Sequence, residues 1–226
     1  MHDTARQNLL SPKLPESGQA RVYWSRLYGS AKSLAIANMA TQTQKPVVVI
    51  TADTISAVNL INELHIYIKD NDSIPVMTLP DWETLPYDQF SPYQDIISDR
   101  LQTLYALPTL QQGIVVVPVT TIMHRLMPSD YLFANSLVLD TGQSIQLDSF
   151  RKQLNQQGYR FVEQVTEHGE VSKRGSLLDI FPMGATHPYR IDLFDDEIDS
   201  IRTFDIETQR SIDKVDSIRV LPASEV

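Results

Sequence analysis

Lys32 and Ser33 stand side by side at the end of the run Arg26-Leu27-Tyr28-Gly29-Ser30-Ala31. A lysine followed by a hydroxyl residue at the mouth of a helix is the equipment of a phosphate-binding P-loop. In G-x-x-x-x-G-K-[ST], backbone N–H groups wrap the phosphates, the lysine reaches the outermost one and the hydroxyl holds Mg²⁺. Here Arg26 and Ala31 occupy the two glycine positions. A Cβ at 31 crowds the space for phosphate, and left-handed dihedrals cost a non-glycine residue free energy. No Asp-Glu pair follows a later apolar strand to hold the metal. The segment Arg26, Gly29, Ala31, Lys32, Ser33 therefore reads as a lapsed nucleotide site. Weak nucleotide binding or ATPase activity through Lys32 and Ser33 is the alternative.

Three further groups have chemistry in their side chains. Asp192, Asp195, Asp196, Glu197 and Asp199 place five acids in eight positions, but without the ligand order and central glycine of a calcium loop. They read as a hairpin whose turn, Asp195-Asp196-Glu197, faces solvent. Glu167-His168-Gly169-Glu170 has no second histidine or cysteine beside it, and reads as a polar turn rather than an acid–base or metal site. Arg160, Arg174 and Arg190 each stand beside a strand. Such arginines are ordinarily solvated or paired with carboxylates, yet arginine with an exposed aromatic such as Phe194 is also the composition of a protein-binding hot spot. Arg190 and Phe194 are four apart and so share one side of a strand, with Asp192 between them and Ile191 and Leu193 opposite. Arg174 joins them only if its strand pairs nearby. Trp82 lies among Asp81, Glu83 and Asp88, acidic company that argues against base stacking.

The elements that must carry these residues are legible from periodicity. Val47-Val48-Val49-Ile50, entered through Pro46, and Ile114-Val115-Val116-Val117 are continuous β-branched runs, as in strands buried on both faces. Val22-Tyr23-Trp24 is a candidate strand ahead of the lapsed P-loop, and a helix is expected to begin near Ser33. Helical stripes run through Val58, Ile61, Leu64 and Ile68, and through Ile97, Leu101, Leu104 and Leu107. Strand, helix, helix, strand points to α/β architecture with parallel strands and crossovers. From about residue 136 the texture changes. Leu137-Val138-Leu139 is a strand, 148–157 a helix ended by Gly158, and 175–181, 189–194, 198–204 and 215–221 are short strands between turns. This second part, 136–221, reads as a small α+β domain able to fold alone. Residues 1–135 form the first domain, with 1–19 as a mobile arm.

Composition narrows the functional classes. Of 226 residues, 42% are hydrophobic and 21% charged, which supports a core. The net charge of −9 disfavours a protein that grips nucleic acid over its whole surface. Acids outnumber bases in both halves. The chain has no cysteine, which removes disulfides, thiolate metal sites and cysteine nucleophiles and suits a cytoplasmic setting. No run of eighteen apolar residues and no signal segment is present, so membrane association is not expected. Leu221-Pro222-Ala223-Ser224-Glu225-Val226 ends without a capping element, as expected of a piece of a longer protein.

Several longer segments together resemble one family. Leu79-Pro80-Asp81-Trp82-Glu83-Thr84-Leu85-Pro86-Tyr87-Asp88, Phe90-Ser91-Pro92 and Gln94-Asp95-Ile96-Ile97-Ser98 are similar to the amino-terminal, UvrB-like part of the bacterial transcription-repair coupling factors. So are Glu167-His168-Gly169-Glu170, Arg174-Gly175, Asp179-Ile180-Phe181-Pro182-Met183-Gly184 and Phe194-Asp195-Asp196-Glu197-Ile198-Asp199. The resemblance implies an incomplete P-loop NTPase-like (RecA-like) parallel-sheet domain with an inserted small α+β domain that recruits UvrA, residues 222–226 beginning the return to the first domain. It also implies a catalytically silent module without cofactor, whose segment after Tyr87 is too short for the DNA-clamping hairpin of UvrB. Carried over by position, the UvrA-contacting residues are Arg174, Arg190 and Phe194. Truncating Arg190 or Phe194 is then expected to weaken UvrA binding and leave the melting temperature nearly unchanged. RNA polymerase and double-stranded DNA would be bound by regions of the family outside this chain.

Overall fold

In a computed structural model, the structure describes residues 9–16, 18, 21–68, 74–84 and 92–225. Contacts divide the chain into two compact units, Met1–Asp81 with Thr109–His124, and Trp82–Pro108 with Arg125–Val226. Residues 82–108 and 125–135, which the change of texture at 136 would leave with the first domain, thus cluster with the second sheet.

The first unit holds α1 (Ala31–Gln42), β1 (Pro46–Thr51), α2 (Thr54–Ile68), β2 (Val76–Thr78), β3 (Gly113–Pro118) and α4 (Val119–Ile122). Its three strands form a parallel sheet in the order β1-β3-β2. All six residues of β3 are buried, as its β-branched run requires of a central strand. Ile36, Ala40, Leu60, Leu64, Ile114 and Val116 meet in one core, joined by Trp24. Asp53 starts α2 by accepting from the Ser56 N–H at 2.7 Å, and those hydrogen bonds hold its carboxyl below the usual range. Gly113 is required where it stands, because a Cβ there would lie 3.0 Å from the Pro75 carbonyl oxygen that accepts from Ile114.

Two expectations change here. Residues 21–28 form no strand; Trp24 instead packs into the core and donates from Nε1 to the Lys13 carbonyl at 3.2 Å. Within the arm expected to be mobile, Leu9 and Leu10 offer carbonyls to Asn38 and Gln42 of α1. Residues 1–8, 17, 19 and 20 lie outside the described residues, as does 85–91, which carries the Leu85-to-Ser91 part of the family motif and the segment after Tyr87.

The second unit holds α3 (Gln94–Ala106), α5 (Ser129–Ala134), β4 (Leu137–Asp140), α6 (Leu147–Gln156), β5 (Arg160–Phe161), β6 (Glu170–Arg174), β7 (Leu177–Ile180), β8 (Tyr189–Phe194), β9 (Glu197–Phe204), β10 (Ser211–Val215) and β11 (Ser217–Val220). Six strands form a mixed sheet in the order β10-β9-β8-β7-β6-β5, antiparallel except for β5 with β6. β11 pairs with β4 in a separate antiparallel ribbon. The strand expected over 175–181 is the second arm of the β6–β7 hairpin, because Gly175, at φ +61°, turns the chain. Gly158 ends α6 at φ +90°, as its position predicts.

Helix α3 is integral to this second unit. Arg100 donates from Nε and a terminal nitrogen to the two carboxylate oxygens of Glu225, at 2.6 and 3.0 Å, with both side chains nearly inaccessible. Its guanidinium also lies 4.9 Å from the centre of the Trp82 ring. Ser98 accepts from the Gly184 N–H at 2.8 Å. A piece limited to 136–221 would lack both partners.

Candidate functional site

The antiparallel register of β6, β7 and β8 decides which side chains share a face. Arg174 pairs with Leu177, which pairs with Asp192, while Asp179 pairs directly with Arg190. Alternation puts Arg174, Asp179, Arg190, Asp192 and Phe194 on one face and Leu178, Ile180, Ile191 and Leu193 on the other. The β8–β9 pairing carries a bulge beside Asp192 and Leu193. The extra residue is Asp199 on β9, so β8 alternates undisturbed. The row through Arg174 therefore reaches β8 midway between Arg190 and Phe194, and all three sequence-selected residues belong to one neighbourhood.

Asp179 organises that neighbourhood. It is 1% exposed, yet it carries a carboxylate, which a buried site tolerates only when paired and hydrogen-bonded. Arg190 supplies Nε at 2.7 Å and a terminal nitrogen at 2.9 Å, and Arg174 supplies one more donor at 2.9 Å. Arg190 also donates to the Gln209 carbonyl at 3.0 Å and lies 4.8 Å from the centre of the buried Phe204 ring. The hydrogen bonds to Asp179 raise its already high pKa further. Arg190 is thus a mostly buried structural arginine as well as a face residue. The expectation that its removal spares the melting temperature does not fit this geometry. Arg174 is half-exposed, and Phe194, at the end of β8, is 75% exposed. Asp195 turns the hairpin in the left-handed region at φ +54°.

The acidic hairpin is not simply a solvated tip. The Asp196 carbonyl accepts from the Ile145 N–H, and the Ile198 carbonyl from that of Gly142, both at 2.7 Å. Among the described residues no group of three His, Cys, Asp or Glu side chains could hold a metal ion. Arg160 is paired with Glu167 at 2.9 Å and Glu170 at 3.3 Å. Glu170 is buried at the start of β6, where it accepts from the Thr166 and Glu167 N–H groups at 2.8 and 2.9 Å. His168 has one ring nitrogen 2.8 Å from Asp95 and the other 2.9 Å from the Ala185 carbonyl, and its ring lies against Phe181. These contacts close a loop and give each ring nitrogen a partner within the protein.

At the lapsed nucleotide site, Gly29 takes φ +56° and Arg26 takes φ +59° despite its side chain. Ala31 opens α1, and Lys32 is exposed. Ser33 is fully buried and its hydroxyl donates to Glu63 of α2, while Ser30 accepts from the Tyr67 hydroxyl at 2.9 Å. The hydroxyl that would meet a metal ion is occupied within the protein.

The Arg100–Glu225 pair was not singled out from the sequence, Asp179 entered only within a family segment, and Glu170 was read as part of a polar turn rather than as a buried carboxylate. Asp179 had a signal: an acid inside Leu177-Leu178-Asp179-Ile180-Phe181 must be bent away or paired.

Residues 137–226, which contain this entire face, match the model of the UvrB interaction domain. The chain is 49% identical over 210 residues to the transcription-repair-coupling factor of Escherichia coli K12, covering 93% of this chain and 18% of that protein. With the same protein of Haemophilus influenzae it is 48% identical over 214 residues, 95% of this chain and 18% of the relative. With that of Staphylococcus epidermidis RP62A it is 34% identical over 208 residues, 92% and 18% respectively. The chain therefore spans under a fifth of the length of these relatives. On the strength of that near-continuous identity and the matched domain, it belongs to the transcription-repair coupling factor family (Mfd), as an amino-terminal part that carries the UvrB interaction domain.

Proposed function

We propose that this chain is a catalytically silent recruitment module that docks UvrA on the Arg174–Asp179–Arg190 face of its six-stranded sheet during transcription-coupled nucleotide excision repair. The observation that carries the reading is Phe194, 75% exposed beside two arginines fixed by one buried carboxylate. An exposed aromatic next to held guanidinium groups is suited to a protein partner: the ring supplies apolar area, and the arginine fork matches carboxylates. The longer relatives are named for coupling transcription to repair, and this module would bring UvrA to stalled transcription complexes in the cytoplasm. RNA polymerase and double-stranded DNA fall to regions of the longer protein. The sheet β1-β3-β2 would be part of an incomplete P-loop NTPase-like domain, into which 136–221 is inserted.

Calorimetric titration of UvrA into the chain tests the docking surface. Phe194→Ala should weaken binding by thirty-fold or more, from a loss of about 2 kcal/mol typical of hot-spot truncation, at an unchanged melting temperature. Binding unaltered by Phe194→Ala withdraws the assignment. A second reading, weak nucleotide binding, is favoured by the left-handed backbone at Arg26 and Gly29. Against it stands the engagement of Ser33 by Glu63, and titration with Mg·ATP separates the two.

A further inference from the structure

The opposite face of the same sheet carries a cleft that the docking reading does not use. Lys173 pairs with Leu178 in the β6–β7 register, so both project away from Arg174 and Asp179, toward α6. Between α6 and the β5–β6–β7 edge lies a cleft of about 300 Å³, whose walls include Phe150, Leu154, Phe161, Val162 and Leu178. Arg151, Lys173 and Asp148 are its charged members. The Arg151 guanidinium is held 4.9 Å from the centre of the Phe161 ring. Neither Arg151 nor Lys173 has an ion pair among the described residues, in a chain whose net charge is −9. Two cations and one acid, Asp148, line the cleft, and neither cation is paired with that acid, so the cleft carries a net positive charge in an acidic chain.

The edge beside the cleft is open as well. β5 is the last strand in the sheet order. Arg160 and Val162 donate inward to Gly169 and Val171, each at 2.9 Å. By alternation the N–H and carbonyl of Phe161 face outward, where a further strand would pair.

We propose that this cleft and edge bind a short extended peptide segment of a partner protein, which seats one apolar or aromatic side chain between α6 and the sheet and offers carboxylates to Arg151 and Lys173. Charge complementarity selects an acidic segment. The volume admits one large side chain, and the free edge supplies main-chain pairing, as in strand-addition recognition. The site lies on the face opposite Arg190 and Phe194 and does not depend on UvrA docking.

The test uses the whole 226-residue chain, ¹⁵N-labelled, with two eight-residue peptides that share a central Phe-Val pair, one flanked by Asp and Glu, its twin by Lys. The acidic peptide should shift the amides of Phe161, Val162, Lys173 and Leu178, and the lysine twin should not. The double variant Arg151→Glu, Lys173→Glu should weaken binding at least ten-fold while melting as the parent does. Should that variant fail to fold, Lys173→Glu alone with the two peptides reads the same charge preference. Equal binding of both peptides, shifts confined to the Arg190 face, or no shift at millimolar peptide overturns the proposal. So does phenylacetate binding as tightly as the acidic peptide, since that would make the cleft a small-molecule pocket.

Discussion

Replacing Arg190 by alanine separates a residue that touches a partner from one that builds the surface. The substitution removes two hydrogen bonds to Asp179 and one to the Gln209 carbonyl. It leaves a carboxylate whose side chain is 2% exposed with only Arg174 for company. Breaking a buried ion pair from one side costs about 3–5 kcal/mol. Because Arg174 still reaches Asp179, the low end applies, about 3 kcal/mol. For a chain of this size that corresponds to a fall in melting temperature of roughly 6–12 °C. Phe194→Ala removes a ring already in water and should shift melting by no more than about 1–2 °C, as surface substitutions do. Differential scanning calorimetry of both variants, following the transition of the second unit, reads the contrast. If Arg190→Ala melts within about 2 °C of the parent, Asp179 is not held as described and the structural role of Arg190 is refuted.

Arg100→Ala should lower the stability of the second unit by about 3–5 kcal/mol by stranding Glu225, measurable in urea. A segment of 136–221 alone lacks Arg100 and Glu225, and its circular dichroism should show weaker folding than the whole chain. Arg26→Gly should stabilise the first unit by about 1 kcal/mol through relief of a left-handed backbone, while ATP turnover stays absent even with Ala31→Gly added. Partial burial raises the Asp99 carboxyl above the usual carboxylate range, with His168 opposing and Asp95 adding to the shift. The folded state then keeps a proton that the unfolded state has released. Asp99 therefore favours folding least above its raised pKa, and Asp99→Asn should raise the melting temperature at pH 7 relative to its effect near pH 3; a pH-independent effect would contradict this.

Two strands of the first unit were legible because Val47–Ile50 and Ile114–Val117 are unbroken β-branched runs, but burial on both faces holds only for the second: β1 is an edge strand of the described sheet, and its Val48 and Ile50 are 56% and 59% exposed. Val22-Tyr23-Trp24 carries β-favouring residues, one β-branched and two aromatic, but Trp24 finds its burial by packing into the core from a loop, so local propensity misleads there. β2 went unread because Val76-Met77-Thr78 is too short to show a period. β6 went unread because Lys173 and Arg174 hide a strand whose other residues, Glu170 to Ser172, are buried. Alternation placed Arg190 and Phe194 on one face. What it cannot contain is register, and register alone brings Arg174 and Asp179 to them across β7.

That register also gives the two arginines different work. A guanidinium has five N–H donors. Arg190 commits donors to Asp179 and Gln209 and sits on Phe204. Arg174 makes one hydrogen bond among the described residues and is 54% exposed in its side chain. Fixing a rotamer-rich side chain on binding costs about 0.5–1.5 kcal/mol. Asp179 imposes much of that ordering on Arg174 during folding, so under the proposed docking its remaining donors would meet the partner already aimed. On this geometry Arg174 and Phe194 are the exposed groups of the face, and Arg190 shares with Arg174 the neutralisation of the acid beneath. A buried acid in the middle of a strand, costly by itself, is thereby the means by which the sheet holds a charged face in place.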